Sequence, residues 1–435
     1  MRICLVNYRY FVSSGAERYL FGVKRLLEER GHEVIPFSIR YRQNEPTPWS
    51  SYFVAPIGAD DQVFFRQHSW DPATVRRSLE RAVYSREVYD ALARLLRDTR
   101  PDVAFVLNYV KKLSPSVLVA LHDAGVPIVV RFSDFALVCP QPHLVREGRV
   151  CELCVGRTYW PSVVHRCVQG SLGASLVNAL AMTYARRRGF FDLVDAFVAP
   201  SEIMREKMVQ GGLPEAKLHH IPTFVAVPDG GSREPGNPRR ICFVGRLEPT
   251  KGVEVLVDAF RLLRRRDGMA DLELVLAGEA NTARGVALQQ RLAGLELPGL
   301  RLTGSLDEEG VRKLLRSSAL SVVPSLWYEN TPNALLESLA CGTPVVASDL
   351  GSMRAMLDGT GAGALFRPGD AGDLAHVLAE LLERPGEPAR MGRRARELAR
   401  ERYAPQAHVE ALEALFADVT SHAGERARAE EGAGS

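Results

Sequence analysis

Two carboxylates, Glu329 and Glu337, flank the start of a predicted helix in the second half of the chain. Glu337 falls within the helix, where its side chain could accept hydrogen bonds from a ribose diol, as acidic residues do in dinucleotide-binding folds. Glu329 lies in the loop before the helix and would face the rest of the same ligand. The pattern indicates a site for a nucleotide that carries a sugar. A paired-carboxylate hydrolase is the alternative, but eight helical residues would separate the carboxylates by ~12 Å at about 1.5 Å each, which is too far for a glycosidase unless the loop shortens it.

The helix start between these carboxylates suits an anion. Thr331 has the residue type of an N-cap, and Pro332 is favoured at the first helical position. The backbone N–H groups of Asn333 and Ala334 would then be unpaired at the carboxyl end of a strand. Such N–H groups stabilise anions, so we expect a diphosphate to bind there.

An earlier strand also runs into a polar loop, which begins Gly245-Arg246 and continues to Lys251. A guanidinium and an ammonium at a strand end could neutralise a diphosphate leaving group, whose charge grows as its bond to a sugar breaks. A solvated basic loop is the alternative. No Asp-x-Asp sequence is placed to hold a divalent ion. We therefore expect these cations to act without a catalytic metal.

Two strand ends in the first half add candidates. Gly15 opens the first predicted helix and would let the backbone approach an anion closely, although an ordinary turn would also use it. Asp134 follows Ser133 just beyond a predicted strand at 127–131. Its carboxylate could act as a hydrogen-bonding group or base, or could cap the following turn.

Four cysteines lie in an irregular segment at 139–167. Cys139, Cys151, Cys154 and Cys167 are separated by eleven, two and twelve residues. Four thiolates around a structural zinc ion would hold such a segment, and a site closed by four ligands would not be catalytic. Free cysteines near an acceptor and a redox-sensitive disulfide are the alternatives.

Strands alternate with helices along the chain, which is typical of doubly wound parallel sheets. Residues 1–225 would form a first domain with strands at 3–6, 33–38, 102–107, 127–131 and 196–199. Residues 240–403 would form a second with strands at 240–244, 272–277, 300–303, 320–324 and 344–348. We expect an α/β fold of two Rossmann-like domains that face each other across a cleft.

The remaining segments connect or extend these domains. Residues 226–239 are rich in Pro and Gly, so they predict a linker. A helix at 404–423 would pack back toward the first domain. Residues 424–435 have little to bury, which predicts a disordered tail.

The overall composition limits the function. The chain has 435 residues, 46% of them hydrophobic, and a net charge of only +3. This net charge is too small to attract nucleic acid by long-range electrostatics. No apolar run has the length of a membrane span or signal peptide, so we expect a cytoplasmic protein. Arg186, Arg187 and Arg188 follow an apolar helical stretch at 174–184. They indicate either a peripheral contact with anionic lipid at the inner membrane face or a solvated basic surface.

The motifs of the second half resemble the large GT-B family of retaining glycosyltransferases that includes sucrose and glycogen-related synthases. In chain order they are Gly245-Arg246 with Lys251, Gly278-Glu279, Glu329 with Glu337, and Gly342-x-Pro344. The resemblance spans most of residues 240–400. It implies that Arg246 and Lys251 hold the donor diphosphate, that Glu337 binds ribose and that Glu329 contacts the donor sugar. It also implies that the turn at Gly15 faces the donor phosphates. Relatives often have a His-Asp pair where this chain has Ser133-Asp134.

The resemblance implies retaining transfer of a sugar from a UDP- or GDP-sugar to a glycan, a lipid-linked molecule or a small molecule. Two alternatives stay open. A nucleotide-sugar epimerase of similar fold would convert the donor without an acceptor. A partner subunit that binds nucleotide sugar would not turn it over.

Overall fold

The computed structural model describes residues 1–61, 71–156, 158–228 and 237–433. The chain divides into two compact units. Unit 1 contains Met1–His143, Glu152–Ile221 and His408–Ser435, and unit 2 contains Leu144–Cys151 and Pro222–Ala407. Residues 229–236 of the predicted linker lie outside the described residues.

Unit 1 is built on a parallel sheet whose central strands are apolar and buried, as expected for a sheet covered by helices on both faces. The strands up to residue 220 are β1 (Arg2–Asn7), β2 (Glu33–Phe37), β3 (Val103–Asn108), β4 (Ile128–Arg131), β5 (Val145–Arg146), β6 (Arg149–Val150), β7 (Ala196–Ala199) and β8 (Leu218–His220). The sheet has the order β2-β1-β3-β4-β7-β8, whereas β5 and β6 form a separate antiparallel hairpin.

Unit 2 repeats this architecture. Its strands are β9 (Asn237–Val244), β10 (Glu273–Ala277), β11 (Leu300–Gly304), β12 (Ser318–Val323), β13 (Val345–Ser348) and β14 (Gly363–Phe366). They pair in parallel in the order β11-β10-β9-β12-β13-β14, which is the strand order of dinucleotide-binding folds. The predicted α/β class and both doubly wound sheets are confirmed, and the bounds of the predicted strands differ from the observed ones by at most three residues.

The helices cover both sheets. They are α1 (Gly15–Glu29), α2 (Pro72–Val83), α3 (Arg86–Thr99), α4 (Ser116–Asp123), α5 (Trp160–Val164), α6 (Leu172–Arg187), α7 (Glu202–Gln210), α8 (Val253–Arg264), α9 (Ala283–Ala293), α10 (Glu308–Arg316), α11 (Asn333–Cys341), α12 (Gly351–Leu357), α13 (Ala371–Glu383), α14 (Glu387–Arg402) and α15 (Pro405–Ala433).

The last helix, α15, packs on unit 1. Tyr19 and His408 share a hydrogen bond of 2.9 Å, and the rings of Phe105 and Phe416 lie 5.4 Å apart. Residues 424–433 continue this helix, where the composition predicts disorder. Ala, Glu and Arg dominate the segment, and these strong helix formers allow an established helix to propagate.

Candidate functional site

The strand order of unit 2 reverses between β9 and β12. Open α/β sheets bind ligands outside the carboxyl ends of their strands at such a switch point. The loop after β9 carries Arg246 and Lys251, and the loop after β12 carries Glu329. The N–H of Leu326 donates to the carbonyl oxygen of Thr250 at 2.9 Å, which joins the two loops.

The two loops also meet through side chains. Nζ of Lys251 donates to Oε1 of Glu329 at 2.5 Å. The Ser325 hydroxyl and the indole N–H of Trp327 donate to the same oxygen, each at 2.6 Å. Lys251 also lies 5.4 Å from the centroid of the Trp327 ring, within reach of a cation–π interaction. The structure therefore brings together Lys251 and Glu329, which the sequence proposes separately.

Glu329 is held in its ionised form. Burial alone would raise its pKa, but the charge of Lys251 and hydrogen bonds from Lys251, Ser325 and Trp327 lower the pKa below its ordinary value of 4.5. The Ser352 hydroxyl fixes the backbone by donating to the carbonyl oxygen of Glu329 at 2.7 Å. No hydrogen bond from the described residues reaches Oε2, so this oxygen can accept one from a ligand.

Glycines allow the loops to approach each other. Gly252 has a φ of +68°, and a Cβ there would lie 1.9 Å from the carbonyl oxygen of Pro324. Gly278, at the end of β10, has a φ of +137°, and its Cβ would lie 1.9 Å from the carbonyl oxygen of Gly245. Any side chain at either position would force the strand ends apart.

Glu248 is a further site-supporting residue that the sequence does not single out. Its buried carboxylate accepts from the N–H groups of Asn281 and Thr282, at 3.2 and 3.1 Å, and from the Thr282 hydroxyl. Its carbonyl oxygen accepts from the N–H of Lys251 at 2.9 Å. The sequence feature that could have revealed Glu248 is an acidic residue in a loop whose other charged residues are basic. Its role is to position the backbone that carries Lys251.

The helix start lies one residue later than predicted. Helix α11 begins at Asn333, and Pro332 rather than Thr331 is its N-cap. The N–H groups of Leu335 and Leu336 donate to the carbonyl oxygen of Pro332. The earlier N–H groups, those of Asn333 and Ala334, point out of the helix end, as expected from helical geometry.

Two other predicted donor-site residues are accessible. Glu337 is half-buried on α11, one helical turn after Asn333 and therefore on the same side of the helix. Arg246 is exposed and forms no ion pair with any residue that the structure describes. The guanidinium of Arg246 is therefore available to a ligand.

In unit 1, Gly15 is the first residue of α1. The carboxylate of Glu17 occupies the same turn, where it accepts from the Ser14 hydroxyl at 2.6 Å and pairs with Arg9 at 3.3 Å. An anion at this helix start would meet both charges. The role of Gly15 stays a prediction.

Asp134 caps its turn. One carboxylate oxygen accepts from the N–H of Ala136 at 2.9 Å. Burial raises the pKa of Asp134, although the Ala136 hydrogen bond and the charge of Lys111 act against this rise. The neighbouring Ser133 hydroxyl donates to the carbonyl oxygen of Leu107 at 3.4 Å, which is long for such a bond. Asp134 therefore has the capping contact, and its role toward a substrate stays a prediction.

The four cysteines are not grouped as a metal site in the part of the chain that the structure describes, so zinc binding stays a prediction. Among the described residues, none of Cys139, Cys151, Cys154 and Cys167 forms a disulfide. In the part of the chain that the structure describes, no three His, Cys, Asp or Glu side chains are grouped so that they could hold a metal ion. Cys139 instead donates from Sγ to the carbonyl oxygen of Gln141 at 2.6 Å. Tetrahedral geometry cannot be inferred from the spacing alone, because the loops between the cysteines decide where each thiol lies.

Comparisons with known families agree with the division into two units. Residues 13–227 match the family model described as Glycosyltransferase Family 4. Residues 238–384 match the model described as Glycosyl transferases group 1. The two matches together span most of the chain.

Curated relatives match over shorter segments. A phosphatidyl-myo-inositol mannosyltransferase from Mycobacterium leprae is 34% identical over 145 residues, which are 33% of this chain and 37% of the relative. A D-inositol 3-phosphate glycosyltransferase from Corynebacterium jeikeium is 33% identical over 203 residues, 45% of this chain and 48% of the relative. The matched segments thus span less than half of each relative.

Solved structures match over nearly the whole chain. Sucrose-phosphate synthase from Thermosynechococcus elongatus has a TM-score of 0.70 at 17% identity and covers 97% of this chain and 99% of its own. HepE from Anabaena, in complex with UDP and glucose, has a TM-score of 0.61 at 16% identity. The match covers 96% of this chain and 99% of the HepE chain. At this identity the likeness concerns the fold, and it confirms the GT-B architecture.

Proposed function

The chain belongs to the group 1 glycosyltransferases, and on that premise we propose that it transfers a sugar from a nucleotide diphosphate sugar to an acceptor with retention of configuration. The observation that carries this proposal is the contact between Lys251 and Glu329 at the switch point of unit 2. In this proposal Lys251 would stabilise the leaving group, and the neighbouring Glu329 would contact the sugar. The transferase names of the curated relatives and the UDP bound to HepE support it.

The diphosphate would bind between the loop after β9 and the start of α11. Lys251 and the exposed Arg246 supply positive charge, and the N–H groups of Asn333 and Ala334 supply donors. The negative charge on the phosphate grows as the anomeric bond breaks, so these groups stabilise the transition state more than the ground state. No step of this scheme requires a divalent metal.

The sugar and the ribose would use the two carboxylates. Glu329 keeps Oε1 for Lys251, Ser325 and Trp327, so its Oε2 would accept from a donor-sugar hydroxyl. Glu337, one turn into α11, would accept from the ribose diol. A Glu329 that stays ionised keeps this acceptor at neutral pH.

Retention would follow from a reaction on one face of the sugar. The bond between the anomeric carbon and the phosphate oxygen breaks, and the acceptor oxygen bonds to the same face of that carbon. The departing phosphate takes the acceptor's proton. Lys251 and Arg246 would stabilise the phosphate while this happens.

Calorimetry tests the donor site directly. UDP, GDP and ADP, with their glucose and mannose conjugates, are titrated into the full chain with and without EDTA. We expect one nucleoside diphosphate to bind selectively in EDTA, and Lys251→Ala and Glu337→Ala to weaken this binding by about tenfold or more. The matched controls are Lys313→Ala and Glu383→Ala, whose side chains are exposed in the same unit. Folded protein that binds no nucleotide would overturn the proposal.

Product analysis tests the chemistry. The anomeric configuration of the product is read from proton NMR coupling constants after incubation with donor and candidate acceptors. A product of inverted configuration would exclude the retaining mechanism. Conversion of the donor without an acceptor would identify an epimerase, and nucleotide binding without turnover across acceptors would favour a partner subunit.

A further inference from the structure

Helix α6 exposes a row of large apolar side chains. They recur every four residues, which places them along one side of the helix. Leu180 is 59% exposed and Leu172 is 54% exposed, although the opposite side of the helix is buried. The exposed row consists of Leu172, Leu176, Leu180 and Tyr184.

Helix α5 packs against α6 and also exposes large apolar side chains. Its Trp160 is 62% exposed and its Val164 is 61% exposed. We call these six residues on α5 and α6 the apolar face. Large apolar side chains that are exposed together, rather than scattered singly, mark an interaction site.

The charged residues within α5, α6 and the segment between them are all basic, although Glu152 and Asp192 bound this segment. Residues 153–191, which include both helices, contain no Asp or Glu. Arg166 follows α5, and Arg187 and Arg188 lie at the end of α6, all three exposed. On the neighbouring helix α2, the carboxylate of Glu80 is already paired with Arg76 at 2.8 Å.

We propose that the apolar face is a docking surface for an anionic lipid bilayer. The row along α6 is ~18 Å long at a rise of about 1.5 Å per residue, so the helix would lie in the plane of the interface. Its apolar side chains would enter the headgroup boundary, and the arginines would contact lipid phosphates. Among the described residues, no helix is both long and apolar enough to span a bilayer.

The charge pattern favours lipid over a second copy of this chain. Two copies joined through this face would bring arginines together without a carboxylate from residues 153–191 to neutralise them. An anionic bilayer supplies the missing negative charge. This inference is independent of the proposed function, since lipid binding needs no donor.

Co-sedimentation of the full chain with vesicles tests the proposal. We expect binding to phosphatidylcholine vesicles that contain phosphatidylglycerol, weaker binding to pure phosphatidylcholine, and weakening by salt. Leu176→Gln/Leu180→Gln should lower partitioning by roughly 10- to 100-fold, because two apolar side chains no longer leave water. The matched control is Leu262→Gln/Val286→Gln, which changes two similarly exposed apolar side chains of unit 2.

A second measurement locates the contact. The protein has four tryptophans, and Trp160 lies on the apolar face. Brominated anionic lipid should quench part of the intrinsic fluorescence, and Trp160→Phe should remove that part. Quenching that is unchanged in Trp160→Phe would overturn the assignment of this face.

Two further outcomes would also overturn the proposal. One is equal partitioning of the intact chain and Leu176→Gln/Leu180→Gln. The other is a dimer in light scattering that becomes a monomer in this variant, without vesicle binding, because the occupant would then be a second copy. UDP titration of the same variant shows whether the donor site is intact, so failure here is distinguishable from failure of the proposed function.

Discussion

The ammonium of Lys251 lies 2.5 Å from Oε1 of Glu329, although the two residues are 78 positions apart in the chain. Each residue follows a strand of the same parallel sheet, and the two strands, β9 and β12, are neighbours. The topology therefore brings the cation and the carboxylate together at one edge. Ser325 and Trp327 then fix the orientation of the carboxylate.

Removal of the Lys251 cation should lower both the activity and the stability of the chain. We expect Lys251→Met to lower kcat/KM by roughly 10²- to 10³-fold, because a donor to the developing phosphate charge is lost. Glu329 would also be left buried without its cation, at a cost of about 3–5 kcal/mol in the free energy of unfolding. Steady-state kinetics and urea denaturation measure the two effects. Lys313→Met is the control and should change neither quantity.

The pH dependence of stability should reveal the ionised state of Glu329. Its pKa in the folded protein is below the ordinary value of 4.5, so its contribution to stability is fully present above that pH. It is lost as the pH falls through the folded-state pKa. We therefore expect Glu329→Gln to be less stable than the native chain at pH 7, and the difference to shrink below about pH 4.5. Urea denaturation at several pH values measures it, and a difference that grows on acidification would contradict the assignment.

Sequence could predict which strand ends carry the site, but not every contact. Arg246, Lys251, Glu329 and Glu337 lie on loops and a helix whose order along the chain is visible in the alternating pattern. The convergence of Ser325 and Trp327 on one oxygen depends on side-chain directions in an irregular loop, which no periodicity encodes. The spacing of the four cysteines likewise does not determine where each thiol lies, because the loops between them are irregular.

Gly252 should be required for the approach of the two loops. Gly252→Ala places a Cβ 1.9 Å from the carbonyl oxygen of Pro324, and the residue also has a φ of +68°. Gly268→Ala is the matched control, since Gly268 has a φ of +72° and no atom within 4 Å of the added Cβ. Both variants should lose about 1 kcal/mol from the left-handed conformation, and only Gly252→Ala should lose more and bind nucleotide less tightly. Equal losses of stability and unchanged nucleotide affinity would show that the loops tolerate separation.

Lys112 should make unit 1 more stable at alkaline pH. Burial, followed by the charges of Arg9 and Arg81, lowers the pKa of Lys112 from 10.5 to about 7. Between these two values the unfolded chain binds a proton that the folded chain does not, so the free energy of unfolding rises with pH across this window. Below pH 7 the folded protein must hold a buried charge beside two arginines. Above about pH 10.5 both states are neutral and the rise ends.

The comparison with Lys112→Met isolates this titration from others in the same range. Urea denaturation gives the free energy of unfolding of both chains at each pH. Because methionine carries no charge, the value for the native chain minus the value for the variant should rise between pH 7 and pH 10. Lys313→Met, at an exposed lysine of unit 2, is the control for the loss of one lysine charge. A flat difference for Lys112→Met would mean that the Lys112 ammonium is stabilised by its surroundings and stays protonated in the folded chain.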